Sequence, residues 1–348
     1  MTLRFIDGFE GYDKANASKY WNYAYFDNFA YISNVGRNGG NCLNTVYSAD
    51  SEALFERTLN FDTTGAYITI GFAFKLISAH SVDEICQLIV PGWPDGATAV
   101  GVNGSLQLEF KRRYSTSLSA IYTHTEPLLV NTWYYIEMKS YIDSSSGRII
   151  GRINEQQVCD WTGDNLPYGG SNYITKFRIQ VGAWEAIAID DVYLLDDSGS
   201  VNNDFLGDVR VDAIYPSSAG NYSQLTPSAG NNYECVDETS FDDSDYVEGA
   251  VDGNKDSYNY ADVPTDLDDA GIFGIKLSNI SKRTAGSDNR KIKGFLRTGS
   301  TDYEETTAQS LSEEFHISDV VWEADPSDSN DWTKAKINAC EFGMEVNT

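Results

Sequence analysis

From residue 3 to about residue 200 the chain alternates short apolar runs with clusters of Gly, Asn, Ser and Asp. The runs LRFIDGF, AYITIGFAFKLI, SLQLEFKRRY, WYYIEMKSYI, GRIIGRINEQQVCDW, ITKFRIQVG and AIAIDDVYLLDD each carry period-two alternation or a compact apolar centre. That pattern predicts strands, and many short strands separated by turn formers predict a sandwich. In AYITIGFAFKLI the alternation puts Ile68, Ile70, Phe72 and Phe74 on one face, and Tyr67, Thr69, Gly71 and Ala73 on the other. The first set is a large-residue core face. The second is small enough to lie near another layer. Residues Ile153 to Val158 read as a hairpin tip, and NTWYYIEMK carries aromatic rings on both faces.

The pattern breaks at Asp196-Asp197-Ser198-Gly199-Ser200-Val201-Asn202-Asn203-Asp204, a run of polar turn formers. We place a domain junction there, giving a sandwich over residues 1–203 and a smaller β-rich domain over 204–348. In the second domain DVRVDAI predicts a strand, and Ser217 to Asn232 an open loop. GIFGIKLSNISKR and RKIKGFLRTG predict a pair of strands. The stretch from Asp237 to Asp269 is so poor in apolar residues that it predicts a long surface excursion or an arm ordered by a partner. The last segment, with Trp332, Ile337, Cys340 and Phe342, predicts a terminal strand that completes the second sheet. No internal repeat or heptad pattern is present, which argues against a fibre shaft made by this chain alone.

Charge sharpens the division. The chain carries 52 Asp and Glu against 25 Lys and Arg, for a net −27. Residues 1–203 hold 23 acidic and 14 basic side chains, and residues 204–348 hold 29 and 11, so the shorter segment contributes −18 of the total. A field of this sign repels nucleic acid and anionic membranes and favours cations or a basic protein surface. No apolar stretch is long enough to span a membrane, and the N-terminus MTLRFIDGFEGYD has no signal-like apolar region, so we expect neither membrane insertion nor signal-directed export. The five cysteines, Cys42, Cys86, Cys159, Cys235 and Cys340, are scattered. They fit buried thiols rather than a disulfide framework or a metal knuckle.

Catalytic chemistry finds little purchase. His80, His124 and His316 are far apart in sequence, Glu10 and Asp13 form the best local carboxylate pair but in a turn-rich setting, and Glu109 and Glu137 stand alone on their strands. The expectation is therefore a protein that is not an enzyme. Dense aromatics between residues 20 and 31, with Tyr20, Trp21, Tyr23 and Tyr25 foremost, are candidates for stacking on a glycan or burying against another subunit. Trp93, in the turn-like PGWPDG, joins them. Asp190 and Asp191, and separately Asp252 and Asp256 in VDGNKDSYNYAD, are candidate calcium ligands. The first two point to opposite faces of a regular strand and need a bulge to meet one ion; the alternative is that they fix a neighbouring turn by accepting backbone hydrogen bonds. No other cofactor is expected. Asp237, Glu238, Asp242, Asp243, Asp245 and Glu248 form a candidate acidic docking arm. Lys111-Arg112-Arg113, Lys282-Arg283 and Arg290-Lys291 are basic exceptions, read either as exposed strand ends, the simpler account, or as the place where such an arm of a neighbouring copy docks.

The order of an opening segment with Phe5 and Gly8, then ITIGFAFK, SLQLEF, NTWYYIEMK, a hairpin carrying VCDW, and IAIDDVYLLDDSG resembles the concanavalin-like or laminin-G-like jelly roll over residues 3 to 200. The continuation, FLGDVRVDAIYPSSAG, NYECVDETSFDDSDYVEG and DWTKAKINACEFGMEV, resembles the second half of tailed-bacteriophage virion proteins. The resemblance implies a structural component of a virion, associated with a tail or fibre and assembling with copies of itself and other phage proteins. Two alternatives are a capsid decoration or cement protein and a carbohydrate-binding module for adhesion to a host glycan. Jelly rolls host all of these functions, so the fold does not separate them.

Overall fold

The computed structural model describes residues 2–114, 117–267, 271–284, 286 and 289–348, with the backbone alone at Pro94 and Asp95. It is an all-β protein, a jelly-roll sandwich followed by a smaller β-rich domain, as the alternation predicts. Two compact units divide after Asp212. The expected boundary at 203/204 thus moves nine residues on, because 204–212 is fastened to the sandwich.

The first unit runs through β1 (Leu3–Asp7), the single helical turn α1 (Ala17–Tyr20), β2 (Tyr23–Phe26), β3 (Ala30–Ser33), β4 (Cys42–Thr45), β5 (Ala53–Thr58), β6 (Ile68–Leu76), β7 (Val82–Val90) and β8 (Trp93–Val102). It continues through β9 (Leu108–Tyr114), β10 (Ser117–Thr123), β11 (Trp133–Tyr141), β12 (Gly147–Ile153), β13 (Gln156–Gly163), β14 (Lys176–Val181) and β15 (Ile187–Asp196). One antiparallel sheet has the order β13-β12-β11-β6-β15-β4-β3, with β1 also on β15; the other has the order β10-β9-β8-β7-β14-β5-β2.

Inward positions of the two sheets build one core. Ile68, Ile70, Phe72 and Phe74 of β6, with Ile136 and Met138 of β11, meet Leu88, Val100, Phe110, Phe177 and Ile179 from the other sheet. The expected hairpin tip lies at Asn154 and Glu155, both with positive φ (48° and 67°), as a two-residue turn between twisted strands requires. Gly151 is needed because Phe110 from the facing sheet lies over it: a Cβ there would sit 2.3 Å from the ring. All five cysteines are buried free thiols.

The second unit differs from its expected layout. DVRVDAI is not a strand; most of it belongs to the segment fastened to the first unit. The expected loop after Ser217 holds β16 (Pro216–Ser223) and β17 (Thr226–Pro227), followed by β18 (Val247–Glu248). Next come β19 (Lys255–Tyr260), β20 (Ile275–Ser281), β21 (Lys291–Thr298), β22 (Thr301–Glu304), β23 (Gln309–Ser310), β24 (His316–Trp322), the short helix α2 (Lys334–Asn338) and β25 (Cys340–Asn347). The main sheet has the order β16-β19-β25-β21-β22. β20 pairs with β24 rather than with β21, and β25 lies inside the sheet between β19 and β21. Local pattern identified β20, β21 and β25 but not their partners, because pairing is a long-range choice.

The expected acidic arm is also corrected. Its middle supplies β19, an interior strand, and Phe241 packs edge-on against Phe315 with ring centroids 5.2 Å apart. Asp268 and Asp269, at its end, lie outside the described residues. Among the described residues no helix is long and apolar enough to cross a membrane.

Candidate functional site

The two sheets turn very different outer faces away from their shared core. On the β11-β6-β15 side, Glu137 is fully buried: its Oε1 accepts hydrogen bonds from Tyr193 Oη (2.5 Å) and Gly207 N (2.9 Å). Tyr193 Oη in turn accepts from Leu206 N, and its ring lies over Gly71, where a Cβ would be 2.1 Å away. Phe205 lies over the Arg152 guanidinium at 4.0 Å. Residues 204–212 are thus a strap across this face. Burial raises the Glu137 carboxyl above its ordinary value, and the bonds from Tyr193 and Gly207 offset this only in part.

Asp190 and Asp191 hold one end of that strap. β15 bulges between Asp190 and Tyr193, and Asp191 has φ 51°. The two carboxylates nevertheless turn to protein donors rather than to an ion site. Asp190 accepts from the backbone N–H of Arg37 (2.8 Å) and of Asp191 (2.8 Å). Asp191 accepts from Val211 N (2.8 Å) and pairs with Arg37 Nε at 3.1 Å. Burial, with the neighbouring carboxylate adding to it at Asp190, raises both pKa values. The contacts of this pair are those of the turn-fixing alternative.

The other sheet presents a registered polar row. Strand pairing sets Tyr23 opposite Glu56, Glu56 opposite Arg178, Arg178 opposite Gln87, Gln87 opposite Ala99, and Ala99 opposite Lys111. Residues paired across antiparallel strands share a face, so the row crosses six strands, roughly 24 Å at ~4.8 Å per strand spacing. Alternation adds Arg113 and Glu109 beside Lys111, Lys176 and Gln180 beside Arg178, and Tyr25 beside Tyr23. Four cations meet two carboxylates at these strand positions, a local reversal of the chain's sign.

Each cation is held by a specific partner. Glu56 bonds Lys176 Nζ (2.9 Å) and Arg178 Nη2 (2.5 Å). Burial opposes its charged form, but the two cations outweigh burial and hold its carboxyl below the ordinary range. Lys111 Nζ donates to the carbonyl of Asp83 (2.8 Å) and Arg113 Nε to the carbonyl of Gly96 (2.7 Å). These side chains lie back across β8, whose outward residues Ala97, Ala99 and Gly101 are small. Gly101 is required there, since a Cβ would be 2.2 Å from Asp83 O and 2.9 Å from Lys111 Nζ. At the centre, Gln87 is 2% exposed; its Nε2 is 3.3 Å from Gln180 Oε1, and its own Oε1 has no hydrogen-bond partner.

Beyond the edge strand β2 lies a cleft of about 600 Å³ lined by Asp13, Lys14, Ser18, Tyr25, Phe26 and Tyr31, among others. The aromatic residues singled out in the sequence divide here. Tyr23 and Tyr25 are exposed, at 50% and 41%. Trp21 is not a surface contact: it is buried among Phe5, Phe9, Phe55 and Phe177, and its Nε1 donates to Tyr12 Oη. Tyr20 stacks on Tyr12 with centroids 4.3 Å apart. Trp93 is not a free anchor in a turn but the first residue of β8, with its Nε1 bonded to Tyr168 O (2.8 Å) and its ring beside Arg113. The density of aromatics near the start therefore serves the core first.

In the second unit, Asp256 is buried and saturated by Gln224 N, Leu225 N, Asn232 Nδ2 and Tyr258 Oη. Asp252 accepts from Thr348 Oγ1 instead of joining it. Among the described residues no three His, Cys, Asp or Glu side chains are placed to hold a metal ion. Of the acidic arm, Asp242 closes a turn through Ser244 N, Glu248 sits in β18, and Glu238 is raised by partial burial and by Asp245. Asp237 and Asp245 are half-buried and Asp243 is exposed. Lys282 lies over Phe315 and Arg283 pairs with Glu313.

Sequence reasoning missed Glu56, Gln87, Lys176, Arg178 and Gln180. The available signal was the repeated Lys-x-Arg at 111/113 and 176/178: on a strand, that spacing puts both cations on one face.

No family model matches the chain, and no curated protein matches it. Among solved structures it is similar to the alginate lyase Aly36B, at 14% identity over 53% of this chain and 91% of that one, with a TM-score of 0.39. It is also similar to the Trypanosoma rangeli sialidase, at 12% identity over 49% of this chain and 26% of that one, with a TM-score of 0.33. These are likenesses of fold alone, and neither is to a virion protein. They correct one expectation. Both similar structures are enzymes, against the expectation that this chain is not one, and that expectation is withdrawn.

Proposed function

We propose that the sandwich binds an anionic glycan across the outer face of the β9-β8-β7-β14-β5-β2 sheet. The registered row from Tyr23 to Lys111 carries this reading. Lys111 gives its hydrogen bond to the neutral carbonyl oxygen of Asp83 and holds Glu109 only at 3.6 Å, and a ligand carboxylate offers it a charge-assisted bond of roughly twice the strength of a neutral one. Its long, rotatable side chain swings aside without movement of the strands. Gln87 and Gln180 supply amides suited to sugar hydroxyls, and Tyr23 offers an exposed ring for a pyranose face. Of the functions expected from the sequence, the glycan-binding adhesion module is the one this face supports. A virion location rests on the sequence resemblance.

The test is calorimetric titration with oligogalacturonates and with neutral dextran. The expected outcome is binding of the uronate only, weakened at least tenfold in the double variant Lys111→Ala/Arg178→Ala. Equal binding by the double variant, or no preference for the anionic polymer, would sink the reading. Measuring new reducing ends and unsaturated products in the same samples establishes whether the bound glycan is also cut.

A further inference from the structure

We infer that the cleft beside β2 is a subsite for the sugar ring that overhangs the sheet edge when an anionic glycan lies across it; the inference rests on the reading above. β2 is the last strand of its sheet. A polymer following the row from Lys111 through Arg178 and Glu56 to Tyr23 therefore runs out of sheet at that strand. The next feature is the cleft, and Tyr25 belongs to both: it pairs with Leu54 on the outward face, and it lines the cleft.

The cleft walls suit a pyranose that carries a carboxylate. Tyr25 and Tyr31 leave 41% and 37% of their surface in water, and the C–H faces of a sugar cover such rings while its hydroxyls stay wet. Lys14 Nζ lies 5.7 Å from the Phe26 centroid and 5.8 Å from that of Tyr31. It donates to the neutral carbonyl oxygen of Asp27, and an ammonium carries three donors, so a sugar carboxylate would meet a cation flanked by aromatic rings. Among the described residues of the lining the acid is Asp13, which accepts through Oδ1 from the backbone N (3.0 Å) and side-chain Nδ2 (2.9 Å) of Asn16. The volume lies within the range of small-ligand sites. Occupancy of the cleft makes affinity depend on chain length, because only a glycan long enough to pass Tyr23 reaches it.

The experiment measures affinity for oligogalacturonates of increasing length with the wild type, Tyr31→Ala and Lys14→Ala, each checked for a native circular-dichroism spectrum. We expect a step in wild-type affinity at the length that overhangs β2. Tyr31→Ala should remove the step, costing about tenfold for long oligomers and nothing for short ones, with Lys14→Ala acting in the same sense. Wild-type affinities at every length in both variants would overturn the subsite and leave the sheet-face reading standing. Loss of binding in Tyr31→Ala at all lengths, with Lys111→Ala/Arg178→Ala unaffected, would overturn the sheet-face reading and the overhang with it.

Discussion

The sandwich buries the middle of both of its outer faces, by opposite means. On one, Glu137 and Tyr193 are sealed beneath the strap of residues 204–212, which is bonded through its own backbone N–H groups. On the other, Gln87, Ala97 and Ala99 are equally inaccessible, but the cover includes the side chains of Lys111 and Arg113 lying back across β8. Peeling off a strap breaks several backbone hydrogen bonds at once and exposes a buried carboxyl. Swinging Lys111 aside costs one hydrogen bond to Asp83 O and a 3.6 Å ion pair with Glu109, and a ligand anion supplies replacements for both. On the proposal above, equal burial conceals unequal availability, and the face roofed by cations is the one that exchanges its cover for a ligand.

The contrast breaks most sharply at Glu137. Glu137→Ala removes the acceptor shared by Tyr193 and Gly207 and leaves a cavity under the strap, and we expect a loss of about 3 kcal/mol in urea unfolding. Glycan affinity of the folded variant should stay at the wild-type level; a parallel loss would show that the two faces are not independent.

A smaller effect separates them by pH. Asp190 and Asp191, on the strapped side near Arg37, Glu10, Asp208 and Asp212, have carboxyls raised above the unfolded value of 3.8. Between that value and the raised ones the folded state binds more protons than the unfolded state, so stability increases as pH falls and is lost as pH rises through the window. Thermal or urea unfolding of the sandwich from pH 8 to 5 should show stability rising on acidification by at most about 1.4 kcal/mol per pH unit per proton. Asp190→Asn should flatten the slope, and an unchanged slope would remove the pair from the account.

The smallest effect lies on the cation face. Lys176 is 41% exposed and its bond to Glu56 is a surface ion pair, so Lys176→Ala should change unfolding free energy by less than about 0.5 kcal/mol while weakening uronate binding a few-fold. A large stability loss there would mean that this face, too, is built for structure.

Much of the architecture was legible in the chain. Period-two alternation located most strands of the sandwich, the facing of Ile68, Ile70, Phe72 and Phe74, and the turn at Asn154 and Glu155, because strand geometry converts spacing directly into facing. The second domain was less legible: β19 hid inside a polar, acidic run, and β25 was expected as a strand but nothing local placed it between β19 and β21. The candidate site was legible only in fragments. Lys111 and Arg113 stood out as a basic cluster, and Tyr23 and Tyr25 as aromatics, but nothing local joined them to Gln87 or Arg178.

What the sequence by itself determined is which residues alternate, where turns fall and that the fold is all-β, since these follow from backbone geometry and from burying one side of each strand. What only the tertiary structure decided is pairing and register. Pairing placed positions as far apart as Tyr23, Glu56, Gln87, Lys111 and Arg178 in one row, swept Trp21 into the core, and turned Asp190 and Asp191 into anchors for a strap. Each of those roles depends on a partner more than a hundred residues away or on a neighbouring strand, and no local spacing specifies such a partner.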